Sequence, residues 1–355
     1  MKHRTLLIMA GGTGGHIFPA LAVANALRER GWKVVWLGAR GAMEEKLVPQ
    51  HGIELLTLPI GGVRGKGLLR LLTLPFEQLR AFVMALSVYF EVRPDVSIGF
   101  GGFTGFPGGI AARFLWLPLV VHEQNSVAGL TNKVLSRLAN RVLTAFPSAF
   151  PKKGQLVGNP VRPEIAALPA PADRFAGRVG PLRILVVGGS LGAAVLNETV
   201  PQALALIPAD QRPLVKHQAG AKQIDALRGH YAAAGVAGEC LPFIDDMAAA
   251  YGEADLVICR AGALTIAELA AAGVGAILVP FPHAVDDHQT GNAAYLADNG
   301  AAVLVPQREL TVQWLAERLQ QYNRPQLLAM AEAARGLAKP DATKVVADIL
   351  ESLAD

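Results

Sequence analysis

Short, continuous apolar runs alternate along the chain with longer amphipathic stretches, regularly enough to give an element order. Runs rich in Val, Ile and Leu at 5–10, 33–37, 53–58, 96–100, 119–122 and 141–145 each fill a strand's length, with helical stretches between them. Such runs lack polar alternation, so they belong to strands covered on both faces, the mark of a parallel sheet in an α/β unit. The stretch GQLVGNPVRP at 154–163 interrupts the pattern with glycine and proline, as a domain boundary does. After Pro181 the alternation restarts, with strands expected at 183–187, 214–217, 239–243, 256–259, 276–279 and 302–305. The expected architecture is therefore two Rossmann-like, doubly wound domains, 1–161 and 162–340, with a nucleotide cleft between them. A last helix, 341–355, follows Pro340 and is expected to return to the first domain. A length of 355 residues suits two domains of ordinary size.

The two openings, LLIMAGGTGGHIFPALAVANAL and RILVVGGSLGAAVLNETVPQAL, share a strand, a Gly-Gly-x-x-Gly turn and an amphipathic helix. A glycine turn between strand and helix lets backbone N–H groups approach an anion at the positive end of the helix dipole. GGFTGFPGG at 101–109 supplies a third such turn. Any one of these turns could be no more than a tight βα connection; three after predicted strands favour a phosphate ligand. The second strand ends in Leu37, Gly38 and Ala39, without the acidic residue an NAD ribose requires. Neither opening loop reads G-x-x-x-x-G-K-[ST], which excludes a P-loop nucleotide hydrolase.

Charge adds an asymmetry. Residues 1–160 hold 18 Lys and Arg against 8 Asp and Glu, and residues 161–355 hold 15 against 21. A basic first half attracts phosphates, nucleic acid or anionic lipid, and its sign does not choose among them. The two cysteines, Cys240 and Cys259, have no metal-ligand spacing, so neither a disulfide framework nor a zinc site is expected and a reducing cytoplasm fits. The most apolar window, 68–90, is broken by Arg70, Glu77 and Arg80, which suits a segment lying on a bilayer rather than crossing it. The apolar start of the chain is short and runs into the first glycine turn, so it reads as part of the fold rather than as a signal peptide.

Candidate chemistry sits at the turns. His16 follows the first glycines, with Pro19 placed as a helix-start residue; a histidine there either caps the turn or serves as a neutral general base. In CRAGALTIAELAAAG, Thr265 and Glu268 are assigned to a first helical turn, where the glutamate either accepts ribose hydroxyls or complements the dipole. The pairs Asp245–Asp246 and Asp286–Asp287 contain no Asp-x-Asp, so no metal site and no cofactor are expected.

In order along the chain come GGTGGHIFPALAVA (11–24), VRGKG (63–67), GGFTGFPGG (101–109), HEQNSVAGLTN (122–132), VGNPVR (157–162), GGSLGA (188–193), FIDDMAAAY (243–251), RAGALTIAEL (260–269) and DDHQTGNA (286–293). This set resembles the MurG family of peptidoglycan N-acetylglucosaminyltransferases, two-domain enzymes of GT-B fold. The resemblance implies an inverting transfer of N-acetylglucosamine from its UDP donor to the C4 hydroxyl of the muramoyl unit of undecaprenyl-linked lipid I, giving lipid II. It also implies peripheral attachment to the cytoplasmic face of the inner membrane through an anionic lipid surface, with no nucleic acid as partner; the sequence names no protein partner. Carried over by position, the donor contacts are Thr13, Gly14, Gly15, Asn125, Arg162, Ser190, Ile244, Ala263, Leu264, Thr265, Glu268 and Gln289, and His16 is the candidate catalytic base. Leu191 stands where the family commonly has Gln, which removes a polar contact to the donor. Leu68, Leu69, Leu71, Leu72, Leu74, Phe76, Phe82 and Val83, bordered by Arg64, Lys66, Arg70 and Arg80, are the expected membrane contacts. The competing expectations are another GT-B UDP-sugar enzyme, either a glycolipid glycosyltransferase or an epimerase, and a non-catalytic nucleotide-sugar sensor.

Overall fold

The computed structural model describes residues 4–61, 68–189 and 192–354. The chain divides into two compact units, Met1–Val161 with Pro340–Asp355, and Arg162–Lys339.

The first unit is built on β1 (Thr5–Met9), β2 (Lys33–Ala39), β3 (Glu54–Leu58), β4 (Val96–Gly99), β5 (Leu119–Glu123), β6 (Arg141–Thr144) and β7 (Gln155–Leu156). All are parallel, in the order β3-β2-β1-β4-β5-β6-β7. Alternate residues of one strand feed two cores, which is why the strands read as unbroken apolar runs. Leu6 and Ile8 of β1 pack with Ile17, Leu21 and Leu27 of the helix Gly14–Glu29 and with Val346 and Leu350 of the helix Ala342–Ala354. Leu7 and Met9 face the other way, toward Ala81, Ala85 and Tyr89 of the helix Leu68–Val92. Each fully buried Leu or Ile contributes roughly 1.5–3 kcal/mol. The helix Ala342–Ala354 is further fixed where Arg30 pairs with Asp348 and Glu351 (2.8 and 2.6 Å) and the Trp32 indole N–H donates to Glu351 (3.1 Å).

The second unit repeats the arrangement with β8 (Arg183–Val187), β9 (Leu214–Gln218), β10 (Glu239–Leu241), β11 (Leu256–Cys259), β12 (Ala276–Leu278) and β13 (Ala302–Leu304). These are also parallel, in the order β10-β9-β8-β11-β12-β13.

Four local expectations are corrected. Within the stretch read as a boundary, Gln155 and Leu156 add the edge strand β7 beside β6. The strand expected over 239–243 ends at Leu241, because Pro242 has no N–H to continue the ladder. Pro19 does not start its helix: the helix begins at Gly14, so the proline falls in the second turn and provides no donor for the Gly15 carbonyl. Glu268 is not in a first turn either, since the helix Ala263–Ala272 starts five residues before it.

Candidate active site

In an open α/β sheet, ligands collect beyond the carboxyl ends of the strands where the strand order reverses. In the first unit this point lies between β1 and β4, and it is where two glycine loops meet. Gly102 has φ +80°, and a Cβ on it would sit 2.5 Å from the Gly11 carbonyl oxygen; a side chain there would push the two loops apart. The first loop is tied from beneath by the buried Glu44, whose carboxylate accepts the Gly12 N–H (3.1 Å) and the Ala39 N–H (2.9 Å).

His16 is the third residue of the helix Gly14–Glu29, just after Thr13, Gly14 and Gly15. Its half-buried ring lies beside Gly101, where a Cβ would stand 3.1 Å from its Cε1 atom. Nδ1 is 2.8 Å from Oε1 of Gln124, which is buried at the end of β5. Gln124 Nε2 is 3.0 Å from both His122 Nδ1 and the His122 carbonyl oxygen, and His122 Nε2 donates to the Gly158 carbonyl at 2.9 Å. His122 is fully buried beside the Phe100 ring, and that burial pushes its pKa down to about 4. Glu123 organises the turn that follows: it accepts from the N–H groups of Asn125 and Gly129 and from the side-chain amides of Asn125 and Asn132. Thr13, Gly14, Gly15 and His16 are thus contiguous at the helix start, and Asn125 lies on the turn leading out of β5.

In the second unit the reversal lies between β8 and β11. Gly188 and Gly189 follow β8, and Gly192, with φ +76°, rests so closely on the Ala219 carbonyl that a Cβ would collide with it. Ser190 and Leu191 lie outside the described residues. Beyond β11, Gly262 caps the helix Ala263–Ala272 without a side-chain bond, so Ala263, Leu264 and Thr265 form a first turn whose backbone N–H groups point outward from the helix end.

Glu268 is buried in the second turn. Arg162 Nε and Nη2 donate to its Oε1 (3.2 and 2.9 Å), and the Tyr251 hydroxyl donates to its Oε2 (3.2 Å). Burial raises the Glu268 pKa, and the Arg162 charge opposes that rise. Gln289 Oε1 accepts from the N–H groups of Ala261 and Phe281 (3.3 and 2.9 Å), which leaves its NH2 as the end able to donate to a ligand. Arg260 braces the same region, donating to the carbonyls of Val279 and Pro280 and lying over the Phe281 ring. Ile244 is buried on the loop after β10.

Among the described residues no group of three His, Cys, Asp or Glu is placed to hold a metal ion. Asp246 caps the helix Met247–Glu253 by accepting the Ala249 N–H, and Asp287 accepts the Thr290 hydroxyl in a turn where Asp286 and Asp287 both have positive φ. Sequence reasoning did not single out Glu44, His122, Gln124, Tyr251 or Arg260. The available signal was the run of polar residues at the end of β5, HEQN, where a buried strand gives way to a ligand-facing loop.

Two parallel Rossmann-like units, each with a glycine turn at its point of strand reversal, form the GT-B architecture of sugar-nucleotide transferases. Residues 6–144 match the glycosyltransferase family 28 N-terminal domain and residues 183–347 its C-terminal domain. The chain belongs to glycosyltransferase family 28, as a hexosyltransferase of the MurG branch. It is 62% identical over 354 residues to the UDP-N-acetylglucosamine--N-acetylmuramyl-(pentapeptide) pyrophosphoryl-undecaprenol N-acetylglucosamine transferase of Cupriavidus metallidurans, covering 100% of this chain and 99% of that one. The protein of the same name from Cupriavidus necator is 61% identical, with 99% and 98% covered. Among solved structures, MurG of Acinetobacter baumannii aligns with a TM-score of 0.87 at 45% identity, covering 98% of this chain and 99% of that one.

Proposed function

We propose that the protein transfers N-acetylglucosamine from UDP-N-acetylglucosamine to the C4 hydroxyl of N-acetylmuramic acid in undecaprenyl-linked lipid I, yielding lipid II and UDP with inversion at the anomeric carbon. The substrates follow from the relatives' shared name, and the observation that carries the chemistry is His16, held by a side-chain amide at the start of a glycine-flanked helix. Inversion in one displacement needs a base on the face opposite the departing UDP. His16 takes the proton of the acceptor hydroxyl, the hydroxyl oxygen bonds to the anomeric carbon, and the electron pair of the broken bond leaves on the diphosphate.

The donor is assigned to Arg162, Ser190, the Ile244 backbone, Ala263 to Thr265, Glu268 at the ribose and Gln289 at the sugar, with Thr13, Gly14, Gly15 and Asn125 as further contacts. The N-terminal amides of the helix Ala194–Ala205, whose N-cap residue Ala193 makes no side-chain bond to them, would stabilise charge on the leaving diphosphate.

The lipid-linked acceptor gives the first unit a membrane face, at the cytoplasmic side. No helix among the described residues is long and apolar enough to cross a membrane. Phe76, Leu79, Val83 and Phe90 are exposed on one helix, and Phe114 and Trp116 are exposed at the end of another, with Arg113 over the Trp116 ring. Phe82 is instead half-buried and packs edge-on against Phe114, which places it with the core side. Arg64 and Lys66, and the side chains of Leu68, Leu69, Arg70, Leu71, Leu72 and Leu74, lie outside the described residues.

A transfer assay with a lipid I analogue and a panel of UDP-sugars tests the reading. Product from UDP-N-acetylglucosamine is expected, and His16→Ala should lower turnover by roughly 10²- to 10⁴-fold while donor affinity stays within about two-fold. Parallel losses of turnover and donor affinity would make His16 a binding residue and remove the base from this mechanism.

A further inference from the structure

We infer that Gln124 and His122 are positioning residues that hold the His16 imidazole in its Nδ1–H tautomer, so that Nε2 carries the lone pair that accepts a proton. The inference deepens the proposed role of His16 as base and rests on it.

The assignment follows from which atoms can donate, starting at the far end of the chain of contacts. The Gly158 carbonyl only accepts, so His122 Nε2, 2.9 Å away, carries the hydrogen. A neutral imidazole holds one such hydrogen, which makes His122 Nδ1 an acceptor. The Gln124 atom that lies 3.0 Å from this Nδ1 also lies 3.0 Å from the His122 carbonyl oxygen. Only an NH2 group satisfies two acceptors at once, and this fixes the amide orientation by chemistry. The opposite end of the amide is then the oxygen, 2.8 Å from His16 Nδ1, and an oxygen without hydrogen requires Nδ1 to donate. One backbone carbonyl thereby sets the tautomer of His16 through two buried side chains.

Two further contacts preserve the alignment. Asn132 donates to the His122 carbonyl oxygen (3.2 Å) and to Glu123 (2.8 Å), which fixes the strand end that carries Gln124. Gly101 leaves room for the His16 ring where a Cβ would press on Cε1 and Nδ1. When Nε2 takes up the acceptor's proton, Nδ1 keeps its hydrogen and goes on donating it to the Gln124 oxygen, and the ring does not have to turn. Gln124 and His122 touch no substrate in this scheme; they act through His16.

The test uses the full-length enzyme labelled with ¹⁵N-histidine, with long-range proton–nitrogen correlation spectra at neutral pH assigned by His16→Gln and His122→Gln. The expected pattern is a protonated Nδ1 and bare Nε2 in His16, and the reverse in His122. A protonated Nε2 in His16, or a protonated Nδ1 in His122, overturns the inference and needs no variants beyond those used for assignment. Gln124→Leu keeps the volume and removes all three side-chain hydrogen bonds, one to His16 and two to His122. It should shift the His16 signals toward a tautomer mixture and lower kcat by roughly 10- to 100-fold, with KM for UDP-N-acetylglucosamine within about two-fold. Retention of the Nδ1–H form in Gln124→Leu would deny the amide its role. The two layers fail separately: turnover that survives His16→Ala removes the base reading whatever the tautomer, whereas an inactive His16→Ala with a reversed tautomer removes only the relay.

Discussion

Glu268 illustrates how burial limits what a carboxylate can do. Three donors already occupy its oxygens, two from Arg162 and one from Tyr251, out of about four acceptor positions. A ribose diol bound at Glu268, as proposed, would share the carboxylate with Arg162, whose side chain is 42% exposed and has room to move. Glu268→Gln keeps the size, removes the charge and leaves the guanidinium without its partner. Hydrogen bonds to a charged group contribute about 1.5–3 kcal/mol, so UDP affinity measured by titration calorimetry should fall roughly 10- to 100-fold. Unchanged affinity would put the ribose elsewhere. Both partners of this pair stood out in the sequence, yet their link did not, because it joins positions 106 residues apart. For His16 and Gln124 only the histidine stood out, and their contact likewise spans 108 residues. Residue type and local spacing show which side chains carry chemistry; which of them touch depends on strand order.

At the scale of elements the sequence was most legible where one physical demand dominated. The parallel strands had to be apolar on both faces, and their positions followed; the two-residue β7 had too short a run to stand out from the Gly- and Pro-rich stretch around it. In the helix Leu68–Val92, composition alone marked an apolar segment, and only the structure separates its faces. Ala81, Ala85 and Tyr89 recur at intervals of four and enter the core, while Phe76, Leu79, Val83 and Phe90 share the exposed face. Aromatic side chains on such a face enter the headgroup region, and neighbouring cations add attraction to anionic lipid. The double variant Phe76→Ser, Trp116→Ser should weaken sedimentation with vesicles rich in anionic lipid at least about 10-fold at low salt, and leave turnover of a water-soluble acceptor analogue unchanged. Equal vesicle binding by variant and parent would move the membrane face elsewhere.

The molecule repeats one plan twice, and each copy buries a histidine. His122 lies in the first unit; His217, bonded to Tyr231 and Asn197, lies in the second. Burial pushes their pKa values down to about 4 and about 3, from an ordinary 6.5. As pH falls below 6.5 the unfolded chain takes up protons that the folded chain refuses, so the stability these groups contribute is present above that pH and is lost as pH falls, toward about 4 for His122 and about 3 for His217. These shifts correspond to at most about 3 kcal/mol for His122 and about 5 kcal/mol for His217. Urea midpoints should decline from pH 7 to pH 4.5, with a flatter decline for the second unit in His217→Gln; a slope unaltered by that substitution would assign the acid sensitivity to other groups. The helix Ala342–Ala354 gives the plan an asymmetry, since it completes the first unit from the far side of the second in sequence. During synthesis the β1–β7 unit therefore leaves the ribosome with one flank of its core uncovered, and it waits for the whole intervening domain to be translated. The unit that carries His16 is finished after the one that carries Glu268, and a gene fragment meant to isolate it must join residues 1–161 to residues 340–355.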